Sequence, residues 1–145
     1  MRGFFPTVLW LAVLPLLAVV AVVRLDAPAP DPFVPSAKPI KAWTVTASWY
    51  GPGFQGRTTA SGQPYDMNAP TAAHPWLPLG SVVRVVNLAT GESEVARIND
   101  RGPYISGREL DVSYMLASRL SMLEPGTASV RIELLEEPQR HSQTP

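Results

Sequence analysis

Residues 81–104 read SVVRVVNLATGESEVARINDRGPY, and this stretch predicts a β-hairpin that leads into a polar loop. Ser81 to Val86 is rich in β-branched residues on both faces, which is typical of a central strand. Ala89 to Glu92 has the composition of a turn, and Ser93 to Ile98 predicts the returning strand. The predicted hairpin therefore places Asn99-Asp100 at the end of its second strand.

Strand signals continue on both sides of this hairpin. Trp43 to Trp49 is rich in β-branched and aromatic residues, and residues 128–134 alternate apolar and polar side chains. Ser113 fits a helix N-cap, and the spacing after it predicts one short helix before the turn at Pro125-Gly126. Short strands with one helix within residues 43–136 predict a mainly β domain that closes into a small barrel, because closure removes unpaired strand edges.

The first 24 residues are predicted to lie outside this domain. Phe4 to Val23 is a run of twenty uncharged residues flanked by Arg2 and Arg24. Twenty apolar residues can span a bilayer as a hydrophobic helix, whereas the apolar region of a signal peptide has roughly 7–15 residues. We therefore expect an uncleaved signal anchor, with the domain in the periplasm or cell envelope. A cleaved signal peptide and secretion are the alternative, which Ala27-Pro28-Ala29 leaves open.

The composition also limits the possible partners. Residues 25–42 contain five prolines and predict an extended linker, and residues 137–145 predict a polar tail. The chain has no cysteine, so it has neither a disulfide nor a lipidated cysteine. No basic stripe is present, which argues against nucleic acid as a partner. A single histidine in the domain makes a poor ligand set, so we expect no metal and no cofactor.

Four motifs together resemble the rare lipoprotein A (RlpA-like) family of lytic transglycosylases, and the resemblance covers residues 43–135. They are Ala47-Ser48-Trp49-Tyr50-Gly51, Thr59-Ala60-Ser61-Gly62, Thr71-Ala72-Ala73-His74 and Asn99-Asp100-Arg101-Gly102-Pro103. The resemblance implies a six-stranded double-psi β-barrel with one or two short helices. It also implies cleavage of peptidoglycan glycan strands between N-acetylmuramoyl and N-acetylglucosamine residues, which leaves a 1,6-anhydro end.

Asp100 is the first candidate catalytic residue. Shading from water by Pro103 and Tyr104 would favour the protonated carboxyl that a general acid needs. The alternative is that Asp100 caps the turn by accepting hydrogen bonds from the amides of Arg101 and Gly102. The resemblance implies that Asp100 is the essential aspartate, acting in turn as acid and base.

Asp111 and His74 are the supporting candidates. Asp111-Val112-Ser113 matches an Asp-hydrophobic-Ser pattern in related double-psi barrels, among them expansins, so Asp111 could set the protonation of Asp100. Its alternative role is to stabilise the N-terminus of the predicted helix. His74 ends the Thr-Ala-Ala-His motif, whose histidine lies in the cleft of the family, where it could orient or protonate a carboxylate. Its alternative role is that of a structural histidine.

The remaining candidates are polar and aromatic side chains expected to bind the glycan: Tyr50, Thr59, Gln63, Tyr65, Asn99, Arg101 and Tyr104. Aromatic faces pack on the C–H faces of pyranose rings. Because neighbouring strand residues point to opposite sides, we expect Tyr50 to face the cleft and Trp49 to pack in the core. Arg101 could bind a substrate carboxylate, or form a surface ion pair instead.

Gln63 departs from the family, which usually has glutamate at this position. Glutamine keeps the shape of glutamate but cannot exchange a proton. A mechanism with Asp100 as the single acid and base tolerates this change, and we therefore expect a lytic transglycosylase. We also expect the chain to be a monomer. Gln63 favours the alternative of a non-catalytic, expansin-like module that binds cell-wall glycan. A periplasmic scaffold that recognises another protein is the third possibility.

Overall fold

The computed structural model describes residues 38–139. The predicted hydrophobic segment of residues 1–24, most of the predicted linker and residues 140–145 lie outside the described residues. Within residues 38–139, no helix has the length and apolar character needed to cross a membrane.

The described residues form a closed barrel of six strands, which confirms the predicted fold class. The strands are β1 (Lys41–Tyr50), β2 (Thr71–Ala73), β3 (Val82–Asn87), β4 (Ser93–Asp100), β5 (Leu110–Ser113) and β6 (Thr127–Glu136). A 3-10 turn covers Pro52–Phe54, and one helix, α1, covers Tyr114–Arg119. The order around the barrel is β1-β5-β2-β4-β3-β6. β1 begins inside the segment that the sequence analysis assigned to the linker.

The predicted hairpin is the pair β3–β4, which is antiparallel and pairs Val86 with Ser93 and Val82 with Arg97. Its turn is closed by hydrogen bonds from the Gly91 amide to the Asn87 carbonyl (2.8 Å) and from the Asn87 amide to the Glu92 carbonyl (2.9 Å). Other neighbours are distant in sequence: β1 pairs with β5, and β2 with β4, both in parallel. These long-range pairings, rather than the hairpin, position the site.

The short strand β2 has the central role in that arrangement. It lies between β4 and β5, and Ala73 is the register partner of Asp100 on one side and of Asp111 on the other. The two aspartates, eleven residues apart in sequence, therefore flank one alanine across three adjacent strands.

The barrel interior is filled by alternating aliphatic side chains, and α1 packs Leu116 and Ala117 against them. Ser113 is the N-cap of α1, and its Oγ accepts a hydrogen bond from the Leu116 amide. The alternation of β1 places Trp49 against the core, where its ring meets Tyr114 edge-on at 5.7 Å between centroids. The strand residues buried in the core are Val45, Ala47, Ala72, Val83, Val85, Ala96, Ile98, Leu110, Val112, Val130, Ile132 and Leu134.

A charged network joins the neighbouring strands β3 and β6, on which Arg84 and Glu133 are register partners. Glu133 is buried, and its carboxylate accepts hydrogen bonds from Arg84 (2.8 Å) and Arg131 (2.9 Å). Burial raises the pKa of Glu133, but the hydrogen bonds from Arg131 and Arg84 outweigh burial and lower it below its ordinary value. The network therefore buries a carboxylate in its ionised form.

Candidate active site

A groove of about 290 Å³ opens on the outside of the barrel at the ends of β1, β4 and β5. Both candidate aspartates line it, together with the loop that follows β4. Its lining consists of Tyr50, Phe54, Ala73, Asp100, Arg101, Gly102, Pro103, Tyr104, Ile105, Arg108 and Asp111. The groove thus combines two carboxylates, two guanidinium groups and several aromatic or apolar side chains.

Asp100 is half-buried and held through one of its carboxylate oxygens. Oδ1 accepts hydrogen bonds from the amides of Arg101 and Ala60, each at 2.8 Å. The turn-capping interaction considered above is therefore present at Arg101 but not at Gly102. No hydrogen bond from residues 38–139 reaches Oδ2, so a carboxylate fixed by two amides keeps one oxygen available for a ligand in the groove.

The shading of Asp100 differs from the sequence expectation. Pro103 is buried beside it, whereas Tyr104 is 80% exposed and lines the outer part of the groove. Of these two residues only Pro103 is removed from water, and the Tyr104 ring is open to solvent.

Asp111 is half-buried in the same groove and bound by Ser48. Its Oδ1 accepts a hydrogen bond from the Ser48 hydroxyl, its register partner on β1. The cap of α1 is Ser113 rather than Asp111, so the helix-stabilising alternative does not describe this carboxylate. Asp111 thus contributes negative charge to the groove from a fixed position.

Tyr50 faces the groove, as the strand alternation predicts, but its ring is already engaged. The ring centroid lies 4.2 Å from that of Tyr65 and 5.9 Å from that of Phe54. Its buried hydroxyl lies near that of Thr71, but the two do not form a well-aligned hydrogen bond. Burial, then Tyr65, then Asp100 raise the pKa of this phenol far above its ordinary value, although the nearby Thr71 hydroxyl opposes the rise. Tyr50 is thereby kept as a hydrogen-bond donor.

Tyr65, in contrast, belongs to the interior. It is 2% exposed, and its hydroxyl donates to the Tyr50 carbonyl (2.7 Å) and accepts from the Tyr114 amide (3.4 Å). Burial raises the pKa of this phenol as well. A ring in this position cannot stack on a sugar, so the predicted glycan contact is corrected: Tyr65 supports Tyr50 and joins β1 to α1.

His74 is fully buried, and the structure does not bring its imidazole into the groove. Nδ1 accepts hydrogen bonds from the amides of Trp76 (3.3 Å) and Leu77 (3.2 Å), which places the ring proton on Nε2. Burial, followed by the charge of Arg101, lowers the pKa of His74 to about 4. Its connection to Asp100 is through the backbone, because the His74 amide donates to the Asp100 carbonyl at 3.2 Å. This geometry describes a neutral positioning residue.

The two arginines of the groove differ in their partners. Arg101 donates through Nη1 to the carbonyls of Leu77 (2.8 Å) and His74 (3.3 Å), so its guanidinium fastens the loop after β2. Arg108 was not identified from the sequence. Its Nε is buried without a hydrogen-bond partner within the described residues, and its side chain lines the groove. Only its position three residues before Asp111 could have indicated it.

A second groove, of about 400 Å³, lies beside the first and contains other predicted binding residues. Gln63 and Asn99 line it, and the buried Asn99 has an Oδ1 without a partner in the described part of the chain. Thr59 is buried, and its hydroxyl donates to the Gln63 carbonyl at 2.7 Å. The Ala60 amide connects the two grooves, because it lines the second and binds Asp100. Residues 38–139 contain no cluster of three or more potential metal ligands.

Comparison with known proteins identifies the family. A family model described as "Lytic transglycolase" matches residues 43–132. The chain belongs to this family. It is 52% identical over 88 residues to "Endolytic peptidoglycan transglycosylase RlpA" of Pseudomonas aeruginosa (strain UCBPP-PA14), and that match covers 61% of the chain and 26% of the relative. A relative of the same name from Vibrio cholerae is 49% identical over 89 residues, with 61% and 34% covered. The chain thus spans about a third or less of the length of these relatives.

Solved structures support the fold assignment. The chain resembles the Streptomyces papain inhibitor with a TM-score of 0.56 and 20% identity, over 69% of this chain and 99% of that one. It also resembles an apo expansin of Clavibacter michiganensis, with a TM-score of 0.54 and 17% identity, over 69% and 53% of the respective chains. At these identities the similarity concerns the double-psi barrel fold alone.

Proposed function

We propose that this domain is an endolytic peptidoglycan lytic transglycosylase that cleaves the bond between N-acetylmuramoyl and N-acetylglucosamine residues. The observation that carries the proposal is the placement of Asp100 and Asp111 on either side of Ala73 in one groove. Membership of the lytic transglycolase family and the name of the Pseudomonas aeruginosa relative support it.

The proposed reaction uses one carboxyl group in two roles. Protonated Asp100 gives its proton to the leaving oxygen of N-acetylglucosamine as the bond from C1 of the muramoyl residue breaks. The C6 hydroxyl of that muramoyl residue then attacks its own C1, and the Asp100 carboxylate takes the hydroxyl proton. One C–O bond breaks, another forms, and Asp100 returns to its protonated state without consuming water. The free Oδ2 of Asp100 supports this role.

The neighbouring groups fit the same reaction. Asp111 places a second negative charge in the groove, which favours positive charge developing at C1. The Tyr50 hydroxyl is a donor that lies near the Thr71 hydroxyl without a well-aligned hydrogen bond to it. Gln63 lines the second groove rather than the Asp100 groove, so its lack of a carboxyl leaves the proposed acid–base residue in place.

The surroundings of the domain are part of the proposal. The apolar run Phe4–Val23 supports export, so we place the domain in the periplasm or cell envelope, either anchored to the cytoplasmic membrane or secreted. Its partners are peptidoglycan glycan strands, and it acts as a monomer. Analytical ultracentrifugation of the detergent-solubilised chain tests whether it is a monomer, and cell fractionation tests where it is located.

The decisive experiment measures anhydro-muropeptide release by mass spectrometry after incubation of the purified chain with peptidoglycan. Asp100→Asn is expected to lower the rate about 10²–10⁴-fold, the contribution typical of a positioned acid–base group. Glu124→Gln, an exposed carboxylate outside both grooves, serves as the matched control and should retain the wild-type rate. Near-normal release by Asp100→Asn would exclude the assigned role.

A non-catalytic glycan-binding module is the second candidate function. Gln63, which replaces the glutamate usual in the family, is the observation that favours it. Under this alternative the chain sediments with peptidoglycan but releases no anhydro-product, and Gln63→Glu, which restores the missing carboxyl, is expected to raise release. Release of product by the wild-type chain would exclude it.

A further inference from the structure

We propose that Arg108 binds a carboxylate group of the glycan next to Asp100 and thereby determines which strands the groove accepts. The inference rests on the proposed lytic transglycosylase function and adds a specificity-determining residue to it.

The backbone fixes the starting point of this side chain. The Arg108 amide donates to the Ile105 carbonyl at 3.1 Å, which closes a tight turn after the Asp100 loop. Gly107 adopts a φ of +82° within that turn, a conformation that favours glycine. The next amide, of Glu109, donates to the Thr46 carbonyl of β1 at 3.1 Å. Arg108 is thus held between two anchored points at the rim of the groove.

The guanidinium lacks an acceptor of its own. Nε is buried without a hydrogen bond, and no ion pair within residues 38–139 includes Arg108. Buried polar atoms in folded proteins nearly always have partners, so a side chain that lines an open groove with an unpartnered guanidinium is positioned to pair with an acceptor from a ligand. The carboxylates of Asp100 and Asp111 line the same groove but do not pair with it.

The other guanidinium of the groove is engaged through one of its nitrogens. Arg101 donates to two backbone carbonyls, at 2.8 Å and 3.3 Å, and fastens the loop that contains His74 and Leu77. Arg108 is therefore the arginine of the groove whose guanidinium has no acceptor in residues 38–139, whereas Arg101 is engaged through Nη1.

The chemistry of the guanidinium identifies its ligand as a carboxylate. Its planar array of donors matches the two oxygens of a carboxylate, and such charge-assisted pairs are among the stronger hydrogen bonds. Peptidoglycan offers two sources near the reacting sugar: the lactyl carboxylate of a peptide-free muramoyl residue, and the carboxylates of a stem peptide. Both sources present the same group, so the experiment has to separate them.

The experiment compares four glycans with the full-length chain: peptide-free strands, the same strands with the lactyl carboxyl converted to an amide, peptide-bearing strands, and peptide-bearing strands with amidated stems. Arg108→Met is expected to raise KM about 10-fold or more for the strand whose carboxylate is recognised, the effect of losing a hydrogen bond to a charged group. Its kcat should change far less, and Arg108→Lys should restore part of the affinity. If the effect of Arg108→Met on KM disappears when the lactyl carboxyl is amidated, the lactyl carboxylate is the ligand. If it disappears when the stems are amidated, a stem-peptide carboxylate is the ligand.

The matched control is Arg119→Met, because Arg119 lies on α1, outside the groove, and pairs with Glu94 at 3.5 Å. Calorimetric titration of Asp100→Asn with the same four glycans measures binding without turnover. If no anhydro-product forms, the proposed enzyme fails, but the titration still tests Arg108. Equal losses by Arg108→Met on carboxylate and amidated strands, or a wild-type chain that does not distinguish them, would overturn the inference.

Discussion

The buried imidazole of His74 is expected to make the stability of the domain fall steeply between pH 6.5 and pH 4. Its pKa is lowered from 6.5 to about 4 in the folded chain, so the unfolded chain binds a proton first as the pH falls. Stability therefore rises with pH across this window and is lost on acidification. Integration of these two pKa values from pH 7.5 to pH 4.5 gives a loss of about 2.5 kcal/mol.

The assay is urea unfolding at several pH values, followed by tryptophan fluorescence. His74→Asn is the informative variant, because its side-chain oxygen can replace Nδ1 as acceptor for the amides of Trp76 and Leu77 without titrating in this range. It should have a lower stability at pH 7.5 but a much smaller loss on acidification. His141→Gln removes the only other histidine of the sequence and should keep the wild-type slope.

Two results would refute this reasoning about His74. One is a wild-type unfolding free energy that does not change from pH 7.5 to pH 4.5. The other is an equally steep loss in His74→Asn, which would assign the proton uptake to other groups.

Three further predictions concern groups near the groove and in the barrel wall. Tyr65→Phe leaves the buried Tyr50 carbonyl and Tyr114 amide without their partner, and should cost about 1–3 kcal/mol in urea unfolding; an unchanged midpoint contradicts this. Tyr50→Phe removes a buried hydroxyl that lies near the Thr71 hydroxyl without a well-aligned hydrogen bond to it, so stability should change little while anhydro-product release falls about 10-fold; a loss of stability alone would be the contrary result. Glu133 has a lowered pKa, so its ionised carboxylate stabilises the folded domain above about pH 4.5. This stabilisation is lost as the pH falls further through the pKa of Glu133 in the folded chain. Glu133→Gln should therefore destabilise the domain by about 1–3 kcal/mol at pH 7. It should also reduce the pH dependence of the free energy of unfolding, but only below about pH 4.5.

The position of Gln63 bears on how the family pattern is interpreted here. Its loop contacts the catalytic candidate through a neighbour, because the Ala60 amide binds Asp100 at 2.8 Å. A substitution at Gln63 therefore acts on the second groove directly and on Asp100 through the Thr59–Gly62 turn. Measuring Gln63→Glu together with Asp100→Asn would separate these effects, since independent sites give additive changes in free energy.

The sequence alone determined the family motifs, the helix and four of the strands, β1, β3, β4 and β6, but neither of the short strands β2 and β5. Ser81 to Val86 and Ser93 to Ile98 form a hairpin because β-branched strands are joined by a turn that contains Gly91. The position of Ser113 as N-cap and the opposite directions of Trp49 and Tyr50 also followed from local rules, since capping and strand alternation depend only on neighbouring residues.

Only the tertiary structure decided which of the candidate side chains meet. Asp100 and Asp111 share a groove because β2 inserts between β4 and β5, a pairing between distant segments that no local pattern encodes. The same long-range contacts bury His74 and Tyr65, occupy Arg101 with backbone carbonyls and leave Arg108 available. Burial and partner choice depend on what the whole chain packs around a side chain, and for this reason residue types and spacing could name the candidates but not assign their roles.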